Sequence, residues 1–200
     1  ELRYATNQKS PFVDEQKGTV TLGRIAMRNG MIKVKKEIKK KIIFIETQLE
    51  ADYEYFIKNI NIGIEGSPEN FVTNVIGGMT PWDYFLKDEK FLEQIAIPSF
   101  NIIEDDAELI EPWELRECWG IRQGKSHYTR LHNHIRCTYS CIFYLNDNDN
   151  NLIIPELNIE VVPKKGKLVI LSGMLNHRTR RITKNQERYA MVFNLHHPGF

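Results

Sequence analysis

Cysteine is scarce in this chain, with only Cys118, Cys137 and Cys141. An odd, small number argues against a disulfide framework and for a reducing, cytoplasmic setting. On one strand Cys137 and Cys141 would stand about 13 Å apart, too far to be bridged. There is no Cys-x-x-Cys pair and no mixed Cys/His zinc spacing. No apolar run approaches the roughly 20 residues that cross a bilayer, and no signal peptide is recognisable. A dominant charge sign is missing too. Lys plus Arg number 27 against 26 Asp plus Glu, a formal net charge of +1. Bulk electrostatics therefore announce neither a nucleic acid nor an anionic membrane as partner. Internal repeats and low-complexity linkers are absent as well.

What is present suits one globular domain: 200 residues, 42% hydrophobic and 26% charged. Residues 1–17 are polar and rich in turn formers and read as a loose lead-in. Residues 18–200 read as a single domain, with helical and hairpin support over about 18–112 and a β core over about 113–200. Within "TVTLGRIAMRNGMIKVKKEI", Asn29-Gly30 predicts a hairpin, because both turn residues need positive φ. The lysines from Lys33 to Lys41 read as a solvated sheet edge or helix face, with a phosphate-binding patch as the rival reading.

"TQLEADYEYFIKNI" predicts a helix from Thr47, on the spacing of Leu49, Tyr53, Phe56 and Ile60. "TPWDYFLKDEKFLEQI" predicts another. Thr80 is its N-cap, Pro81 its first residue and Asp83 its capping-box carboxylate. Its core face carries Trp82, Phe85, Phe91, Leu92 and Ile95.

From about Trp113 the texture changes to short β-like runs separated by turns: "ELRECWGIRQ", "CTYSCIFYLN", "NLIIPELNIEVVP", "KLVILSG" and "RYAMVFNLHH". Trp113 and Trp119 are expected in the core. "NDNDNN", residues 146–151, resembles the start of a calcium loop, but Leu152 and Asn158 stand where Gly and Glu are needed, so it reads as a turn. Regular short strands predict a mainly β, α+β fold of the sandwich or barrel kind with supporting N-terminal helices.

His132 and His134 are two apart at the mouth of the run "HYTRLHNHIRCTYSCIFYL". On a strand they share a face, about 6.5 Å apart, and can converge on one ion at roughly 2.1 Å. If that strand is unbroken, Thr138, Ser140, Ile142 and Tyr144 share their face. A third histidine, His177, follows 43 residues after His134. In an antiparallel jelly roll that interval can return it beside the first two. Three ligands on one side of a metal leave positions open for substrates. Arg188 follows 11 residues later and shares a face with Ala190, Val192 and Asn194. A buried arginine needs an anion, and a dicarboxylate would meet it with a bidentate pair. Its bland alternative is a structural ion pair. Tyr128 and Arg130 precede the first ligand and could line the entrance on the substrate side. His127, His196 and His197 read as surface or tail residues.

The order His-x-His, a β-rich span, a distal His and an Arg resembles the iron(II)/2-oxoglutarate-dependent oxygenases. It is more closely similar to a branch, many of whose members come from phages and marine bacteria, that includes prolyl-hydroxylase-like enzymes. The matching pieces are "HNH" (132–134), "SCIFYL" (140–145), "GKLVILSGMLNH" (166–177) and "RYAMVFN" (188–194), with "NVIGGMTPWDYF" (74–85) upstream. This resemblance covers about residues 70–195. It implies a double-stranded β-helix, also called a jelly roll or cupin-like barrel. It implies a hydroxylase with iron(II) on His132, His134 and His177. The co-substrate 2-oxoglutarate would pair with Arg188, helped by Tyr144 or Asn194, and O2 would be the oxidant. Prolyl or other peptide residues and small metabolites are the substrate classes it suggests. The chain departs from the usual His-x-Asp/Glu at His134. That leaves three cases: an active three-histidine site, a carboxylate supplied from elsewhere, or a decayed site. Two other classes stay open. One is a cupin-like three-histidine dioxygenase without 2-oxoglutarate. The other is a non-catalytic β-barrel binding module.

Overall fold

The computed structural model describes residues 13–14, 19–28, 31–67, 73–107 and 114–196. Asn29, Gly30, Trp113 and His197, each given a role from the sequence, lie outside them, as does most of the lead-in. The chain divides into two compact units, 1–43 and 44–200. The boundary expected after residue 17 is a different division.

The first unit is a three-stranded antiparallel sheet of β1 (Val13–Asp14), β2 (Thr19–Arg28) and β3 (Met31–Lys41). β2 and β3 pair from Thr19 opposite Lys41 to Arg28 opposite Met31, so a two-residue connection closes the hairpin. The lysine run lies along β3.

The second unit begins with β4 (Phe44–Gln48) and α1 (Tyr53–Glu65). The first helix therefore starts six residues later than predicted. Thr47 is in a strand, opposite Leu168, and Asp52 caps the helix by accepting from the Tyr55 amide. Phe56 and Ile60 are fully buried, as their spacing requires.

After β5 (Val75–Ile76) and β6 (Gly78–Met79) comes a second correction. Thr80 is not a helix cap. Its amide donates to Gly120 O and its hydroxyl accepts from Gly120 N, both at 3.0 Å, so it extends strand-like pairing. Residues 82–87 are turns. The helix starts at α2 (Glu89–Phe91), capped by Asp88 through the Phe91 amide at 2.8 Å. A π-helical turn, Leu92–Ala96, leads into α3 (Ile97–Ala107). Pro98 explains the wider turn. It has no N–H and its ring would crowd the carbonyl four residues back. Phe85, Phe91 and Ile95 are buried as expected, but Trp82 is 38% exposed and lies edge-on to Trp119.

The remaining strands are β7 (Glu114–Gln123), β8 (Tyr128–Thr129), β9 (Tyr139–Tyr144), β10 (Leu152–Ile154), β11 (Ile159–Val161), β12 (Lys167–Ser172), β13 (Arg178–Thr179) and β14 (Arg188–His196). β7, β9, β10, β11, β12 and β14 fall within the five runs read from the sequence; β8 and β13 lie outside them. They form a six-stranded sheet in the order β4-β12-β9-β14-β7-β6, a three-stranded sheet β11-β10-β13 and the pair β5-β8. All the ladders are antiparallel. The central strands β9 and β14 are buried almost throughout, which is why they read as continuous apolar runs rather than alternating ones. This is the mainly β architecture of a double-stranded β-helix. The three cysteines are buried and form no disulfide. Among the described residues no helix is long and apolar enough to cross a membrane.

Candidate metal centre

Strand register builds the barrel interior in rows. On β14, residues 188, 190, 192 and 194 point to one face. Each lies opposite a partner: Arg188 with Gln123, Ala190 with Ile121 and Tyr144, Val192 with Trp119 and Ile142, Asn194 with Glu117 and Ser140. A narrow cavity runs along these rows, bounded by Arg188, Val192, Ile142 and Trp119 and closed at one end by His132, His134 and His177.

The three histidines do converge. One ligand atom from each lies within 4.8 Å of the others. Ring centroids are 4.9 Å apart for His132 and His134, 4.4 Å for His132 and His177, and 5.3 Å for His134 and His177. The expected unbroken strand from His132 is not what brings them together. Residues 131–138 are irregular, and β9 begins only at Tyr139. Ser140, Ile142 and Tyr144 nevertheless point inward, set by their pairing with β14. The loop is held instead by His134 N donating to Gly173 O at 2.8 Å and by Cys137 N donating to His134 O at 2.8 Å. A Cβ at Gly173 would collide with the carbonyls of Cys137 and His134, so only glycine lets the two segments meet.

A side-chain chain ties the same loops outside the site. Asn133 Nδ2 donates to Asn176 Oδ1 at 3.0 Å, and Asn176 donates to Glu156 from its backbone and its amide. Asn133 sits between two of the histidines and Asn176 directly before the third.

Two of the rings are oriented for ligation. His132 Nδ1 lies 2.8 Å from Arg130 O and His177 Nδ1 lies 3.2 Å from Leu175 O. A carbonyl only accepts, so each Nδ1 carries the proton and each Nε2 is bare. Burial holds the His132 pKa below its usual value. Burial and the neighbouring imidazoles push His134 down to about 3 and His177 to about 4. Neutral imidazoles with bare nitrogens are metal ligands at neutral pH. Among the described residues no carboxylate joins the cluster.

Arg188 is 2% exposed. Its Nη1 donates to Gln123 Oε1 at 2.8 Å, and Gln123 is itself held by donating to Ile76 O and Thr129 Oγ1. Nε has no partner, and among the described residues no carboxylate pairs with the guanidinium. The ion-pair alternative therefore finds no support there. Tyr144 is fully buried, with its ring centroid 5.3 Å from the Arg188 guanidinium carbon. Burial raises its pKa, opposed by the Arg188 charge. Its hydroxyl has no hydrogen-bond partner of ordinary geometry. A buried cation in the cavity with an orphaned Nε, and a buried phenol beside it, fit a bound dicarboxylate. Three neutral imidazoles at its other end fit a divalent metal.

The remaining predicted residues fall elsewhere. Asn194 lies six residues along β14 from Arg188, at the histidine end of the barrel. Its Nδ2 is 3.3 Å from His134 Nδ1 and 2.5 Å from Glu117 Oε2. Tyr128 is covered by Arg181, whose guanidinium carbon is 4.4 Å from its ring centroid. Arg130 is exposed, and its carbonyl orients His132. His127 Nδ1 accepts from Gly124 N. Sequence reasoning missed Glu117, Gln123 and Trp82. Only strand register places the first two inside, and Trp82 lies in the misread helix. Glu117 and Trp82, with Arg136, Ile135 and His196, border a second, open cleft of about 570 Å³ that shares His134 and has Asn194 in its wall.

No family model matches the sequence, and no curated protein matches it. Solved structures do. The viral collagen prolyl hydroxylase of Paramecium Bursaria Chlorella virus-1, in a 2-oxoglutarate complex, superposes with a TM-score of 0.60 at 12% identity, over 76% of this chain and 94% of that one. HygX of Streptomyces hygroscopicus, with nickel and 2-oxoglutarate, gives 0.58 at 17% identity, over 78% and 83%. A Pseudomonas putida prolyl-4-hydroxylase gives 0.54 at 16% identity, over 77% and 92%. The likeness is one of fold: this chain is built on the double-stranded β-helix that these 2-oxoglutarate oxygenases share.

Proposed function

We propose that the chain is a non-haem iron(II)/2-oxoglutarate-dependent dioxygenase that hydroxylates a substrate C–H bond. One observation carries this reading: a buried Arg188 with no carboxylate partner among the described residues and three neutral histidines line a single cavity. A three-histidine dioxygenase without 2-oxoglutarate would need another carboxylate to meet that guanidinium. The solved structures of like fold, with 2-oxoglutarate and iron or nickel bound, support it.

His132, His134 and His177 would hold the metal on one face, leaving the opposite face open. Arg188 would bind the distal carboxylate of 2-oxoglutarate through charge-assisted hydrogen bonds, with the Tyr144 hydroxyl as a further donor. Gln123 keeps the guanidinium aimed along the cavity. Trp119, Val192 and Ile142 exclude water between the two ends. When bound, iron(II) and 2-oxoglutarate supply the oxidation, with O2 and 2-oxoglutarate giving hydroxylated product, succinate and carbon dioxide. The open cleft beside His134 is where substrate would lie, and a prolyl or other peptide residue is the first class to try.

Anaerobic titration of 2-oxoglutarate into the iron(II)-loaded protein tests the reading, with Arg188→Ala alongside. The expected result is a weak visible charge-transfer band that needs far more 2-oxoglutarate in the variant. Iron binding without the band would replace this reading with a cupin-like three-histidine enzyme. No metal binding would leave a binding module.

A further inference from the structure

The third histidine is held differently from the other two, and this bears on how the site described above loads its metal. His132 and His177 each give Nδ1–H to a backbone carbonyl. His134 has no such carbonyl. Its Nδ1 faces Asn194 Nδ2 at 3.3 Å, and that nitrogen is 2.5 Å from Glu117 Oε2. A carboxylate accepts, so the amide end turned to Glu117 is the nitrogen. Its second hydrogen then meets His134 Nδ1. A ring nitrogen that accepts is bare, which places the His134 proton on Nε2. Two rings therefore present a bare Nε2 and one presents Nε2–H.

The other end of the same amide is unused. Asn194 is 2% exposed and its Oδ1 has no partner. Ser140, its cross-strand neighbour, is fully buried and its Oγ has no partner either. A native interior leaves few such atoms without a reason.

We propose that Asn194 and Glu117 are positioning residues that set the tautomer of His134, and that metal loading at the three histidines requires this tautomer to change. The proton on Nε2 leaves to water and another enters at Nδ1, with no change in net charge. Nδ1–H then needs an acceptor, and Asn194 Oδ1 is the one at hand once the amide turns about its Cβ–Cγ bond. The displaced N–H has Ser140 Oγ to meet. Glu117 resists the turn, because its carboxylate would then face the amide oxygen. The carboxylate missing from the ligand set thus acts from behind His134, and it weakens metal binding instead of contributing to it. Its place is fixed by register, since Glu117 and Asn194 are direct partners across β7 and β14.

This rests on the proposed metal site, and ring-nitrogen NMR separates the two. Long-range 1H–15N spectra of the metal-free protein, assigned with single His→Gln variants, should show Nδ1–H for His132 and His177 and Nε2–H for His134. Zn(II), which is diamagnetic and redox-silent, should move His134 to Nδ1–H. In Glu117→Gln the ring should already be Nδ1–H without metal, and Zn(II) should bind about tenfold tighter. Unchanged His132 and His177 signals in that variant report an intact fold. Nδ1–H on His134 in the metal-free wild type would overturn the proposal, as would a Glu117→Gln variant with unaltered tautomer and affinity. Zn(II) that fails to perturb any of the three rings would instead overturn the metal site, and the loading step with it.

Discussion

His132 and His177, 45 residues apart in the chain, are paired backbone to backbone. His132 N donates to His177 O at 3.1 Å and His177 N donates to His132 O at 2.8 Å, an isolated antiparallel bridge. The metal-facing side chains are therefore spaced by main-chain geometry, before any metal is bound. Little backbone reorganisation is needed on binding, so truncating the His177 ring should be felt at the metal and only weakly in the fold. His177→Ala should lower Co(II) or Fe(II) affinity by more than about 100-fold, beyond what loss of an outer-shell partner costs. Metal titration by calorimetry, with a melting curve of the metal-free protein, checks both halves.

Arg188 should behave as a binding residue and not as a strut. Among the described residues its buried charge meets no anion, an arrangement that costs stability until a ligand arrives. Arg188→Met keeps the volume and removes the charge. It leaves Gln123 Oε1 without its donor, at a cost of about 1 kcal/mol. Stability in denaturant should therefore stay within about 1 kcal/mol of wild type or rise. Affinity for 2-oxoglutarate should fall about 100-fold, roughly 3 kcal/mol. A large loss of stability with 2-oxoglutarate binding intact would make the arginine structural.

The histidine cluster should make the metal-free protein acid-sensitive. In the fold His134 titrates at about 3 and His177 at about 4, below the ordinary 6.5 that the unfolded chain shows. Between those values the unfolded chain binds more protons, so stability falls as pH falls. The contribution is complete above about pH 6.5 and is lost progressively toward pH 4 and 3. Urea unfolding after chelation, at pH 7.5 and 4.5, should show the loss. It should be smaller in His177→Gln.

Gly120 marks where α1 rests on β7. A Cβ there would run into the Ile60 side chain, which is fully buried. Gly120→Ala should cost about 1–3 kcal/mol in urea unfolding, the usual penalty for overpacking. Removing the obstacle, Gly120→Ala/Ile60→Ala should cost less than the sum of the two single changes. An additive double mutant would mean that the two residues do not meet.

Legibility in the sequence follows the range of the interactions. The strands β7, β9, β12 and β14 could be read because each is a short apolar run ended by turn residues. The His-x-His, the distal His and Arg188 stood out as residue types in order. The helix at Thr80 was misread because its capping pattern is local, while the Thr80 bonds to Gly120 span 40 residues of chain. Tyr144 was placed on the correct face for an incomplete reason. The strand expected to carry it from His132 is broken, and pairing with Ala190 aims it inward instead.

By itself the sequence determined a mainly β barrel and singled out the three histidines and the arginine that line its cavity. These depend on side-chain chemistry and on alternation within a strand, both written residue by residue. Tertiary structure alone decided which polar groups stand behind those side chains: Gln123 under Arg188, Asn194 and Glu117 behind His134, Glu156 and Asn176 outside His177. Their partners lie across strands and between loops. Register brings them within a few ångströms, and no local pattern along one strand specifies which residue of another it will face.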